Sequence, residues 1–305
     1  MPPLRLLPTR LIGRRQLLQA ACLGVLSGIT SAEAAQVRAN SKRRVVCVGG
    51  GLTEIVCALG QESSLVGVDT TSRFPHGVRR LPSVGYARNL SLEGILALAP
   101  QNVIVSHDAG PISVLSRLRG AGVAVSTAED GYTVEALILR VKQLGRILRC
   151  EERAQLLAEK LWRDWGVVAQ DLSAQKPNIR VMFVLGQSPG QFIVAGAGTG
   201  AHVMLQYAGL QNAFADTVGY RPITTEALIA ARPDLLVVTQ PDSMAHQSSP
   251  SVSESIVQIK GLAMTPAARA SRWLVFDTMF LLGFGPRMPD AILALRRAAS
   301  EAIRL

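Results

Sequence analysis

Residues 224–239, TTEALIAARPDLLVVT, lie almost on top of residues 91–106, SLEGILALAPQNVIVS. Glu93 matches Glu226, Pro100 matches Pro233, and an apolar run follows each proline at the same distance. In both, a Ser or Thr precedes apolar residues at helical spacing, the proline stops the helix, and a β-rich run follows. Each segment therefore reads as a capped helix, a break and a buried strand. Each half also carries an earlier strand–helix unit: RVVCVG at 44–49 with LTEIVCALG, and RVMFVLG at 180–186 with GTGAHVMLQYAG. SLVGVD, NVIVS and VAVST supply further strands to the first half, and ISVLSRLRGAG, after Gly110-Pro111, a further helix. The recurrence restricts the chain to an α/β fold of two homologous lobes.

Between the halves lies EERAQLLAEKLWRDWGVVAQDLSAQ, residues 151–175, where Ala154, Leu157, Leu161, Trp165, Val168 and Leu172 recur every three or four positions before Pro177. That period predicts one amphipathic helix of about 37 Å, at about 1.5 Å per residue. The expected organisation is a Rossmann-like N-terminal lobe over 43–148, a long linking helix over 149–176 and a second Rossmann-like lobe over 178–305. A ligand belongs in the cleft between them, at the loops that follow the strands.

The first 34 residues read as an export signal: Arg14 and Arg15 precede a short apolar stretch, and Ala32-Glu33-Ala34 offers a small-x-small cleavage site. The pair resembles a twin-arginine signal, and Cys22 in QAAC resembles a lipoprotein box imperfectly, with Gln19 where a Leu is expected. The formal charge is +10; removing Arg5, Arg10, Arg14, Arg15 and Glu33 with the signal leaves +7, a balance that favours acidic ligands or anionic surfaces. Nucleic acid does not fit, because no basic run exceeds the three residues of KRR at 42–44 and aromatics are not interleaved with basic residues. Cys47, Cys57 and Cys150 are an odd set without paired spacing, so buried small hydrophobes are expected rather than a disulfide framework. The four histidines are scattered without zinc-site spacing.

The enzyme readings fail on chemistry. In VVCVGGGLTEIV, Gly49 and Gly51 begin a dinucleotide fingerprint, but Glu54 takes the third glycine position and would repel a pyrophosphate. GQSPG at 186–190 has the outline of a nucleophile elbow, yet Pro189 follows Ser188 and the spacing identifies no His and Asp partners.

The stretch LPSVGYARNLSLEGILALAP then stands out, since it spends one of only four tyrosines on a turn before a helix. With AGP at 109–111, GYRPITTEALIAARPD at 219–234 and FLLGFGPR at 280–287, it resembles the periplasmic haem-binding proteins that deliver to ABC importers, over essentially all of 43–305. They form part of a larger class whose two lobes are joined by one helix and which also serves cobalamin and ferric siderophores. The string Gly-Tyr-x-Arg-x-Leu-x-x-Glu-Gly that marks the haem binders is complete at Gly85, Tyr86, Arg88, Leu90, Glu93 and Gly94. The resemblance implies a periplasmic, non-enzymatic binder of ferric haem with Tyr86 as axial iron ligand. It implies a permease and ATPase complex as partner, and an outer-membrane haem receptor upstream. Physical chemistry agrees: phenolate is a hard donor, and haem is one of the few centres that proteins bind through tyrosine. With an ordinary pKa of about 10, the phenol needs Fe(III) and a nearby positive charge to ionise. Arg88, two residues along an extended chain, is expected on the same side, to supply that charge or meet a propionate.

Second-lobe site residues are expected at Gln187 after the strand, with its neighbour Ser188, and at Tyr220 and Arg221, which stand where Tyr86 and Arg88 stand in the first lobe. Arg287 reads as a structural ion-pair partner. An arginine common in the family after the strand ending VVTQ is replaced by Gln240, and Met244 and His246 fall in a polar loop that departs from the family's text. In the wider family an acidic residue near the start of each lobe's first helix meets arginines of the permease. Glu54 fits in the first lobe, while His202 holds the corresponding place in the second, so an asymmetric dock through Glu54 is expected. The alternatives are a cobalamin- or siderophore-binding protein of the same fold, which needs no Tyr-x-Arg, and a chelatase-like enzyme, which needs acid and base residues.

Overall fold

The computed structural model describes residues 43–174, 178–186, 192–241 and 261–304. The export segment, Cys22, Gln187, Ser188, Met244 and His246 lie outside them.

The first half is an open parallel sheet, β1 (Val45–Val48), β2 (Leu65–Val68), β5 (Asn102–Val105) and β6 (Ala124–Thr127), in the order β2-β1-β5-β6. A two-stranded hairpin, β3 (Gly85–Tyr86) and β4 (Asn89–Leu90), stands beside it. Helices α1 (Gly50–Ala58), α2 (Leu92–Ala97), α3 (Ile112–Gly120) and α4 (Val134–Leu148) alternate with the strands. One helix, α5 (Glu151–Ala174), then leads to the second half. Its six predicted inward positions are all buried or half-buried, whereas Leu156, Trp162 and Val167 on its other side are exposed.

The second sheet runs β10 (Tyr220–Pro222), β8 (Phe192–Ala195), β7 (Arg180–Gly186), β11 (Leu235–Gln240), β12 (Trp273–Asp277), with β9 (Gln211–Asn212) against β7. Here the repeat is looser than the sequence suggests. Strands β7, β11 and β12 are parallel, but β8 runs antiparallel to both its neighbours, β7 and β10, and it intervenes between β7 and the expected helix, α6 (Gly200–Tyr207). The repeated segment itself is faithful. Helix α2 is capped by Ser91, whose Oγ accepts from the Gly94 N–H at 3.0 Å, and α7 (Thr225–Ala231) by Thr224, whose Oγ1 accepts from Ala227 at 3.2 Å. A residue of positive φ precedes each proline, Ala99 at 43° and Arg232 at 45°. Losing such a cap costs about 0.5–2 kcal/mol. Two further helices, α8 (Thr278–Leu282) and α9 (Met288–Arg304), close the fold.

Strand periodicity sets where the core lies. Alternate residues face opposite sides of a sheet. Val45 and Cys47 of β1, Val181 and Phe183 of β7, and Leu235 and Val237 of β11 join one apolar cluster with Leu137, Val141, Leu161, Val168, Met204 and Leu295 from the helices. Their neighbours Val46 and Val48 point to a second cluster, and Met182, Val184 and Leu236 to a third. Burial on both faces is why these strands read as unbroken apolar runs. The largest cluster runs through α4 and α5 from one sheet to the other, so the two lobes share a core. Cys47 and Cys57 are buried in it as free thiols, and burial pushes both up to about 12, beyond any role as ready nucleophiles.

Two polar contacts also tie the halves together. Glu54 of α1 meets Arg287 in two hydrogen bonds, to Nε at 2.9 Å and Nη2 at 2.5 Å. The Arg140 Nη2 of α4 donates to the Phe284 carbonyl at 3.0 Å. A Cβ on Gly51 would collide with the Gly283 carbonyl, so glycine is what lets α1 press against this loop. Because rotation of one sheet against the other must break these contacts or bend α5, little domain closure is expected on ligand binding. Small-angle scattering with and without hemin checks this: the radius of gyration should stay constant, and a clear decrease would contradict the shared-core account.

Candidate functional site: an open cleft with three tyrosines

In a parallel sheet, ligands sit outside the carboxyl ends of the strands, where the strand order reverses. The first sheet reverses between β1 and β5. The residues that follow them, Gly49–Leu52 and Ser106–Asp108, line a cavity of about 760 Å³ together with the loop after β6. From the second half come Leu185, Ile193, Thr239 and the turn through Met279, Leu282 and Phe284. That volume lies within the range of about 300–1,000 Å³ usual for small-molecule sites. Ser106 and Thr239 are the last residues of the two repeated segments, so each copy of the repeat delivers one hydroxyl to the wall. Ser106 Oγ donates to Asp108 Oδ1 at 2.8 Å, whereas Thr239 Oγ1 is buried without a hydrogen-bond partner among the described residues. A buried hydroxyl left so is costly, and a ligand or water in the cavity would satisfy it.

Three of the chain's four tyrosines, Tyr86, Tyr132 and Tyr220, line this one cavity. Tyr86 sits on the β3–β4 hairpin, which Gly85 enters at φ 96°, and its side chain is 47% exposed. Arg88 is not two steps along an extended strand, as the sequence suggested, but in the hairpin turn itself. It still lines the cavity. Its Nε and Nη2 bond Asp108 Oδ2 at 2.9 and 2.8 Å, so its charge is already engaged. That bond raises the Arg88 pKa above its ordinary value. Burial alone would push the Asp108 carboxyl up, but Ser106 and Arg88 together hold it below the usual carboxylate range. Tyr220 is raised, first by burial and then by Tyr132, against hydrogen bonds from the Ala201 backbone and Thr199. Burial also raises Tyr132, with Asp130 and Asp108 adding to the shift, while its ring packs 4.8 Å from that of Phe284.

Arg221 does not join the site. It follows Tyr220 on β10 and so faces the other way, with its Nε on the Val218 carbonyl at 3.1 Å. Glu54 requires a larger correction. A carboxylate that docks a permease has to be on the surface, but Glu54 is 5% exposed and its arginine is Arg287 of the same chain. Arg287 is the structural ion-pair partner the sequence suggested, packed 3.9 Å from the Phe74 ring centre. His202 is half-buried, and its Nδ1 accepts from Asn212 Nδ2 at 3.1 Å. The asymmetric dock built on these two residues falls with Glu54.

Sequence reading missed His107, Asp108, Asp130, Tyr132, Arg140 and Thr239. A signal was present: SHD and AEDGY directly follow predicted strands, where ligand-facing residues belong in such folds. Arg140 is the exception. It lies inside an amphipathic helix, 8% exposed, donating to the carbonyls of Glu129, Gly131 and Phe284, and burial lowers its pKa.

Two lobes joined by one stiff helix, with an open cleft between strand ends, define a binding protein. The chain belongs to the periplasmic binding protein family, whose profile matches residues 45–277. The members are substrate-binding transport proteins rather than enzymes. Among solved structures it is similar to a periplasmic haem-binding protein from Pseudomonas aeruginosa, at 40% identity and a TM-score of 0.76, over 84% of this chain and 92% of that one. It is also similar to the periplasmic haem-binding protein BhuT in complex with two haems, at 36% identity and a TM-score of 0.78, over 86% and 99%. A vitamin B12-binding protein of Salmonella typhi is 26% identical over 196 residues, covering 64% of this chain and 71% of that protein. The match to YvrC of Bacillus subtilis, an uncharacterized ABC transporter substrate-binding lipoprotein, spans 63% of the relative's length. Among the described residues no helix is long and apolar enough to cross a membrane.

Proposed function

We propose that this protein captures ferric haem in the cleft through the Tyr86 phenolate and delivers it to the permease and ATPase of an ABC importer in the periplasm. The observation that carries the reading is the half-exposed Tyr86 phenol on the wall of the 760 Å³ cavity, beside the Arg88–Asp108 pair. The donor set suits this cargo. Among the described residues no group of three or more His, Cys, Asp or Glu could hold a bare ion, so a metal bound by one tyrosine has to bring its other ligands with it. Haem does, and the apolar side chains Leu185, Ile193, Met279 and Leu282 suit a porphyrin face. Arg140, lining the same cavity, adds a fixed positive charge suited to an anionic ligand. The haem-binding structural relatives support the same reading.

The vitamin B12-binding relatives favour a second reading, cobalamin in the same cleft. Parallel titrations of the purified protein with hemin and with cyanocobalamin separate the two. Hemin is expected to give a saturable, shifted Soret band, and cyanocobalamin no heat of binding; the reverse pattern would move the protein to the cobalamin branch. Reduction to Fe(II) should weaken the haem complex, since a hard anionic donor suits the less charged iron poorly.

A further inference from the structure

The two copies of the repeat end alike and diverge just beyond their ends. Ser106 closes the first and Thr239 the second, and both line the cavity. Two positions further on, the first copy has Asp108 and the second Pro241. Asp108 Oδ1 takes the Ser106 proton at 2.8 Å. Pro241 has no side-chain acceptor to offer, and Thr239 Oγ1 is buried without a partner among the described residues. Strand pairing shows why its neighbours do not serve it. β11 lies between β7 and β12, with Leu185 opposite Thr239 on one side and Phe276 on the other. Along β11 the residues on the same face are Val237 and Leu235, both in the largest apolar cluster. The hydroxyl thus stands where an apolar core meets the cavity, a place where valine would fill the same space without a polar group to satisfy. An unpaired hydroxyl there works against the fold, and positions that break a folding rule in this way are expected at binding sites.

We infer that Thr239 is a specificity-determining residue of this cleft, whose hydroxyl donates its proton to a carboxylate on the edge of the bound tetrapyrrole. The inference rests on the haem reading above. The edge of haem carries propionate carboxylates and otherwise only alkyl and vinyl groups, so a carboxylate is the peripheral group able to accept. A hydrogen bond from a hydroxyl to a carboxylate is charge-assisted, roughly twice as strong as a neutral one. At 1% exposure Thr239 is met only by a group pressed into the wall, and a bond of that strength offsets the small shift this needs. The first lobe has no equivalent donor at the matching position. There Asp108 holds the Ser106 proton and brings a negative charge of its own, which Arg88 pairs. The loss of that aspartate in the second copy is therefore what turns a structural hydroxyl into one left over for the ligand.

The test titrates the mature protein with hemin and with iron etioporphyrin, whose edge is alkyl throughout, both followed at the Soret band. Thr239→Val keeps the shape of the side chain and removes the hydroxyl. It should weaken hemin binding about tenfold or more, as expected for a hydrogen bond to a charged group, and leave iron etioporphyrin binding within about threefold. Thr239→Ser keeps the hydroxyl and should hold hemin within about threefold of the wild type. Thr239→Val should also melt no lower than the wild type, because the hydroxyl it removes has no partner in the fold. A smaller loss of hemin affinity in Thr239→Val would overturn the inference and leave the haem reading standing. So would a comparable loss for both porphyrins, or a lowered melting temperature, since the hydroxyl would then serve the fold and not the ligand. A wild type that binds no hemin would remove the haem reading itself.

Discussion

Replacing Tyr86 with phenylalanine should abolish the phenolate-to-iron charge-transfer band of the hemin complex and weaken hemin binding more than about tenfold, about 1.4 kcal/mol or more. The substitution removes one oxygen from a side chain that is half exposed to the cavity, so the fold should be undisturbed. Arg88→Ala should weaken binding less, because Asp108 already shares that guanidinium and leaves only part of its charge for the ligand. Hemin titration followed at the Soret band and at the charge-transfer band reads both. An unchanged spectrum and affinity in Tyr86→Phe would remove the tyrosine from the site.

Glu54→Ala should lower the thermal midpoint by on the order of 10 °C, through a loss of about 3–5 kcal/mol. The reason is the partner left behind: Arg287, half-buried against Phe74 and Phe280, would keep its charge without a counter-charge. The pair itself is not a large net stabiliser. Burial raises the Glu54 carboxyl above its ordinary value despite the pull of Arg287. A carboxyl raised by folding holds its proton more tightly in the folded than in the unfolded chain. This group's contribution to stability is therefore greatest below its unfolded pKa and declines as pH rises through its folded pKa. Replacing both members at once, Glu54→Leu with Arg287→Met, should accordingly recover most of the loss. Thermal denaturation followed by circular dichroism decides between these outcomes. A single Glu54→Ala variant that melts within about 2 °C of the wild type would mean that the pair is dispensable to the fold.

The linear sequence determined the parts of this protein that depend on neighbours along the chain. Ser91 and Thr224 cap their helices, Pro100 and Pro233 stop them, and the spacing from Ala154 to Leu172 marks the inward face of α5, because caps, breaks and helical periods act within a few residues. Tyr86 was legible too, as part of one contiguous string whose residues all lie on a single hairpin and the helix after it. What the tertiary structure decided is everything that depends on residues far apart in the chain. Glu54, at a helix start, reads as a surface carboxylate until Arg287, 233 positions away, is brought onto it. Arg221 reads as the companion of Tyr220 until β10 pairs with β8 and turns it to the other side. His107 and Asp130 are two scattered polar residues until parallel pairing of β5 with β6 sets their loops side by side at one end of the sheet. Strand pairing and burial couple positions that local periodicity treats as independent, so the cleft could be located from the sequence while most of the side chains in its wall could not.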